Sequence, residues 1–118
     1  ILFYISGIQV QPIRVMHYKL PVFGYRIADL AYVTDANYIS ESEKRKLLNL
    51  DILIINSLQK EKHISHYSLE ESLDLIKELR PKKAYLTHIS HCMGLHDKIN
   101  KELPKNVFLA YDNLKIAF

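Results

Sequence analysis

The sequence predicts an α/β fold built on one mixed β-sheet. Three observations carry that expectation. The first third is dense in Val, Ile, Phe and Tyr, the residues that favour strands, and is broken only by tight-turn signals. From Ser40 onward, capping boxes and amphipathic stretches alternate with short apolar runs, the pattern of βαβ units. One of those runs, Ile52-Leu53-Ile54-Ile55, is apolar without alternation, as in strands of parallel sheets covered on both faces.

Taken in order, Leu2-Phe3-Tyr4-Ile5 reads as a strand at the very start. Residues 9–16 read as a second strand, followed by a loop containing Pro21, and residues 22–27 as the next. Ala28-Asp29 turns the chain tightly into a strand over 31–34. The strands 9–16, 22–27 and 31–34 form an up-down-up meander, so the first and third end on the same edge. Ser40-Glu41-Ser42-Glu43 is a capping box opening a short helix to about Leu48. A buried strand over 51–56 follows. A second capping box, Ser68-Leu69-Glu70-Glu71, opens a helix with Leu69, Leu73, Ile76 and Leu79 on one stripe, stopped at Arg80-Pro81. Residues 84–87 read as a strand and 94–102 as a helix. Residues 107–110 and 114–117 read as a closing hairpin around Asp112-Asn113. Helical crossovers make the strands at 31–34, 51–56 and 84–87 parallel, with their C-terminal ends on one edge.

Composition bounds the function. The chain has 118 residues, 48% hydrophobic and 25% charged, which fits a single globular domain over 1–118. The net charge of +3 is too small to identify a nucleic-acid partner. The basic clusters Lys44-Arg45-Lys46 and Arg80-Pro81-Lys82-Lys83 lie among acids and read as solvated faces. Cys92 is the only cysteine, so no internal disulfide forms. No apolar run approaches the ~18 residues of a membrane span, and a cytoplasmic location is expected. The chain begins on Ile1 and enters a strand at once, which reads as a fragment of a longer protein.

The chemistry-bearing residues gather where parallel strands end, the usual place for a site in an open α/β sheet. His17 ends the first meander strand, Asp35 the third and His88 the strand at 84–87, while His63 and His66 lie on the loop after 51–56. Singly, each reads as a surface, cap or turn residue. Together, His17, Asp35 and His88 suit a shared divalent metal, because imidazole and carboxylate are ligands such ions take. His66 suits a general acid or a clamp on substrate. The run His88-Ile89-Ser90-His91 with His96 does not read as a structural zinc module, which usually brings cysteines or paired spacings, and Cys92 suits a small apolar filler at least as well as a ligand.

These segments resemble the C-terminal half of the metallo-β-lactamase superfamily, and within it the PhnP-like phosphodiesterase group. His17-Tyr18-Lys19-Leu20-Pro21-Val22-Phe23-Gly24-Tyr25 is similar to the stretch around that group's third metal motif. Tyr32-Val33-Thr34-Asp35 resembles the strand ending in the metal-bridging carboxylate. His66-Tyr67-Ser68-Leu69 resembles the catalytic-histidine loop, and Tyr85-Leu86-Thr87-His88-Ile89-Ser90-His91 the last metal motif. The resemblance implies half of an αβ/βα sandwich, one mixed sheet with helices on one face. It implies two divalent ions, Zn2+ or Mn2+, with His17, Asp35 and His88 among their ligands and His66 as the catalytic residue. It implies hydrolysis of a small phosphodiester, cyclic or open, by a hydroxide that two metals activate. The superfamily's His-x-His-x-Asp-His signature is absent, so the N-terminal half of the protein is the expected partner. The uncovered sheet face would otherwise pair in a homodimer or stand exposed. An RNA-processing nuclease of the same superfamily and a non-catalytic interaction domain are the alternative readings. Nucleic acid is not favoured as a partner, and no membrane partner is expected.

Overall fold

The computed structural model describes residues 2–57, 67–87, 96–111 and 114–116, with the side chains of 96–98 left aside. Among the described residues, seven strands form one mixed sheet: β1 (Phe3–Ile5), β2 (Ile8–His17), β3 (Leu20–Ile27), β4 (Leu30–Val33), β5 (Ile52–Asn56), β6 (Lys83–Thr87) and β7 (Val107–Leu109). They lie side by side in chain order. β1 to β4 pair antiparallel, and β4 to β7 pair parallel. The parallel strands are linked by α1 (Glu41–Lys44) with a 3-10 turn over Arg45–Leu47, by α2 (Leu69–Leu79) and by α3 (His96–Glu102).

Alternation divides the sheet into two unlike faces. Ile13, Val15, Ala31, Val33, Leu53, Ile55, Ala84, Leu86, Val107 and Leu109 point to one side and are buried there against Leu47, Leu75, Ile76, Leu79 and Ile99 of the helical layer. The other face carries a row of residues paired directly across six strands: Pro12, Tyr25, Tyr32, Ile54, Tyr85 and Phe108. Tyr25 and Tyr32 remain 41% and 45% exposed, and the neighbouring Phe23 55%. Helices thus cover one face and leave the other, aromatic face open.

Local chemistry explains most of the elements. At α2 the Ser68 hydroxyl accepts from the Glu71 N–H at 3.3 Å, and the Glu71 carboxylate accepts from the Ser68 N–H at 3.0 Å, closing the capping box. Arg80 ends the helix in a left-handed conformation (φ 54°), its N–H donating to the Ile76 carbonyl. At α1 only half of the expected box forms. The Glu43 N–H donates to Ser40 Oγ at 3.4 Å, but the Glu43 carboxylate turns away, accepting from the Arg14 N–H and pairing with Lys46 at 2.6 Å. A strand backbone 29 residues away and a lysine one turn on outcompete the capping contact.

Two other expectations need correction. Pro21 is not in a loop. A two-residue turn at Tyr18-Lys19, with Tyr18 at φ 57°, starts β3 at Leu20, and Pro21 pairs with Met16. It is the second residue of its strand, near the start, where a missing N–H is tolerated. At the C-terminus, residues 114–116 belong to no strand. The Leu114 N–H donates to the Tyr111 carbonyl at 3.1 Å, and the expected turn at Asp112-Asn113 lies outside the described residues. No helix among the described residues is long and apolar enough to cross a membrane.

Candidate functional site

Because β2 and β4 both run antiparallel to β3, their C-terminal ends reach the same edge two strands apart. His17 closes β2, and Asp35 stands two residues beyond β4. His17 Nδ1 lies 3.0 Å from the Asp35 carbonyl oxygen. A carbonyl can only accept, so Nδ1 carries the proton and, in the neutral ring, Nε2 keeps the lone pair. This is the tautomer a histidine needs to ligate a metal through Nε2.

Asp35 has φ +60°, the left-handed region that a non-glycine residue enters at a cost of roughly 1–2 kcal/mol. The next residue, Ala36, is fully buried and held on both polar backbone groups by one side chain. The Ala36 N–H donates to Asn56 Oδ1 at 3.0 Å, and Asn56 Nδ2 donates to the Ala36 carbonyl at 2.8 Å. Asn56 ends β5, is itself fully buried, and accepts at its own carbonyl from Ser72 Oγ of α2 at 2.8 Å. The Ala36 carbonyl also accepts from the Tyr67 N–H at 2.9 Å.

The following residues are stitched to the end of β2. The Asn37 N–H donates to the Met16 carbonyl at 2.8 Å, the Met16 N–H to the Tyr38 carbonyl at 2.9 Å, and the Tyr18 N–H to Asn37 Oδ1 at 3.0 Å. The turn bearing Asp35 is therefore bound to β2, to β5 and to the entry of α2. Burial of Tyr67 pushes its phenol well above the usual tyrosine range, with the charges of Glu71 and Glu78 adding to the effect.

Of the residues singled out from sequence, the structure brings His17 and Asp35 together. His66 and His88 lie outside the described residues, as do His63 and His91; so does the side chain of His96. Their described neighbours are at the same edge. Tyr67, which follows His66 in sequence, is docked on Ala36. Thr87, which precedes His88, pairs with Asn56, and its carbonyl accepts from the Ser57 N–H at 2.9 Å. Among the described residues, no three His, Cys, Asp or Glu side chains group as a metal cage. Asn56 was missed in the sequence reading, although its signal was present: a lone polar residue closing an apolar strand at the edge where the other candidates gather.

Residues 3–89 match the family model of the beta-lactamase superfamily domain. The chain belongs to the metallo-β-lactamase superfamily, and its relation within it is PhnP-like. The crystal structure of a diphosphatase of the PhnP family superposes over 99% of this chain and 46% of its own, with a TM-score of 0.96 and 34% identity. Human tRNase Z, short form, superposes over 98% of this chain and 45% of its own, with a TM-score of 0.74; at 21% identity it shares the fold alone. An octanoyltransferase of Porphyromonas gingivalis is 33% identical over 114 residues, which are 96% of this chain and 23% of that protein. The chain thus spans less than half the length of these proteins, and it makes one layer of the superfamily's sandwich.

Proposed function

We propose that the protein is a metal-dependent hydrolase of phosphodiesters whose site this chain supplies in part. The observation carrying the proposal is the His17–Asp35 pair: a histidine fixed in its Nε2-ligating tautomer by the backbone of the residue bearing the carboxylate. The donor set fits divalent metal. Imidazole and carboxylate are ligands for Zn2+ and Mn2+, and the hydrogen bond on Nδ1 is the second contact a ligating histidine ordinarily makes. His17 and His88 would each serve one ion and Asp35 would lie between them. When bound, such ions supply Lewis-acid charge at the phosphoryl group and lower the pKa of an attacking water.

This chain's own residues do the rest. Asp35 adds a negative charge that offsets two close cations. His17 holds its position through the Asp35 carbonyl. His66, which precedes Tyr67 in sequence, would donate a proton to the leaving oxygen or stabilise the charge developing there. The ligands that three residues cannot provide come from a preceding half carrying His-x-His-x-Asp-His, whose sheet packs on the open aromatic row. The 34% identical diphosphatase supports a phosphorus ester or anhydride as substrate.

The test uses the full-length protein loaded with Mn2+ or Zn2+ and assayed on bis(4-nitrophenyl) phosphate, a cyclic phosphodiester and a structured RNA. Hydrolysis of the small diesters, lost in Asp35→Ala together with bound metal, is the expected result. Cleavage of RNA alone, with binding that falls steeply as salt rises, would instead identify a nuclease. Unchanged behaviour of Asp35→Ala in every assay would leave an interaction domain.

A further inference from the structure

Asp35 occupies the left-handed backbone region at φ +60°, a conformation that persists when the surrounding structure holds it. Two contacts do so. His17 takes the Asp35 carbonyl, and Asn56 takes both the N–H and the carbonyl of Ala36. The Asn56 amide offers one donor and one acceptor side by side, as a neighbouring strand's backbone would. No other uncharged side chain of that reach except glutamine has both groups, and glutamine is one methylene too long. Aspartate, of the same shape, would still accept from the Ala36 N–H but would set a carboxylate oxygen against the Ala36 carbonyl. That carbonyl also receives the Tyr67 N–H, so a shift there moves the entry of α2 as well.

We propose that Asn56 is a positioning residue of the active site: it fixes the Asp35 backbone, and through it the metal-bridging carboxylate, without touching metal or substrate. The inference rests on the reading of Asp35 as a metal ligand and adds what sets its geometry. By alternation Asn56 stands on the same side of β5 as Ile54, opposite the apolar helical layer, and there it is fully buried with both polar atoms of its amide on Ala36. The amide thus grips an irregular turn, the one that carries Asp35.

The test is a Zn2+ titration and a steady-state assay on bis(4-nitrophenyl) phosphate with the full-length protein and its Asn56→Asp, Asn56→Ser, Leu50→Val and Asp35→Ala variants. Asn56→Asp should weaken metal binding about 10–100-fold and lower kcat by a similar factor, with KM little changed and Asn56→Ser in between. Leu50, buried before β5 at the opposite end of the strand, is the control for lost stability, and Leu50→Val should keep wild-type metal affinity. Wild-type affinity and kcat in both Asn56 variants, or equal losses in Leu50→Val, would overturn the proposal. Metal binding unchanged in Asp35→Ala would overturn the underlying metal reading instead. Should the Asn56 variants not fold, amide hydrogen exchange in the wild-type protein decides. Zn2+ should slow exchange at the Ala36 amide, because coupling between the clamp and the ligand is reciprocal, and an unchanged rate would reject the role.

Discussion

His17 Nδ1 donates to the backbone carbonyl of Asp35 across 3.0 Å, so two residues 18 positions apart in sequence share one hydrogen bond at the sheet edge. One side chain is thereby oriented by the other's main chain, and the imidazole cannot rotate without breaking that bond.

Replacing His17 by Asn separates the two roles of the ring. The Asn amide can still donate to the Asp35 carbonyl but has nothing at the place of Nε2. His17→Asn should stay within about 1 kcal/mol of wild-type stability, by urea unfolding, while bound Zn2+ measured by atomic emission falls at least ~10-fold. Retained metal would remove His17 from the ligand set.

Gly24 has no room for a side chain. A Cβ there would lie 2.8 Å from the Tyr32 carbonyl oxygen and 3.0 Å from Val33 Cγ2, both on the adjacent strand β4. Gly24→Ala should cost about 1–3 kcal/mol by forcing β3 and β4 apart. A urea midpoint equal to wild type would show that the strands separate freely.

Ala28 shows the reverse relation. It turns β3 into β4 at φ 50° without glycine's freedom. Ala28→Gly removes roughly 1–2 kcal/mol of left-handed strain and adds about 0.5–1 kcal/mol of unfolded-state entropy. The expected result is a melting temperature equal to wild type or a few degrees above it, and a clear fall would contradict the account.

Tyr67 makes stability depend on pH. Its phenol is raised in the folded chain, chiefly by burial, so above pH 10 the unfolded chain loses a proton that the folded chain keeps. The stabilisation is fully present below the ordinary tyrosine value of about 10 and declines above it, by at most about 1.4 kcal/mol per pH unit. Urea midpoints between pH 9 and 11 should fall less steeply in Tyr67→Phe than in wild type. Parallel curves would mean the phenol reaches solvent.

The open face should dominate the behaviour of the 118-residue chain by itself. With Phe23, Tyr25 and Tyr32 exposed on one side of the sheet, the chain should self-associate or bind a hydrophobic dye, and Tyr32→Glu should reduce both. A monodisperse wild-type monomer without dye binding, by light scattering and fluorescence, would argue against an interface here.

Much of this was legible in the residues. Unbroken apolar character at 52–55 gave a parallel strand, Ser68 and Glu71 gave the start of α2, and meander counting put His17 and Asp35 on one edge, because period-2 patterns and caps are local. Long-range competition was not legible. Glu43 leaves its own helix end for Arg14, 29 residues away, and Pro21 enters a ladder because Tyr18 adopts a left-handed turn that no propensity announces. Asn56 escaped for the same reason: its partner is a backbone 20 residues earlier, visible only once the turn is in place.

The strands stand in the sheet in the order in which they occur along the polypeptide. Each newly made strand therefore finds its neighbour already laid down, and among the described residues no later strand threads between two earlier ones. Such a layer can be added to the sheet one strand at a time as the ribosome releases it. It can also be joined by recombination to a different upstream sequence without rewiring its own contacts.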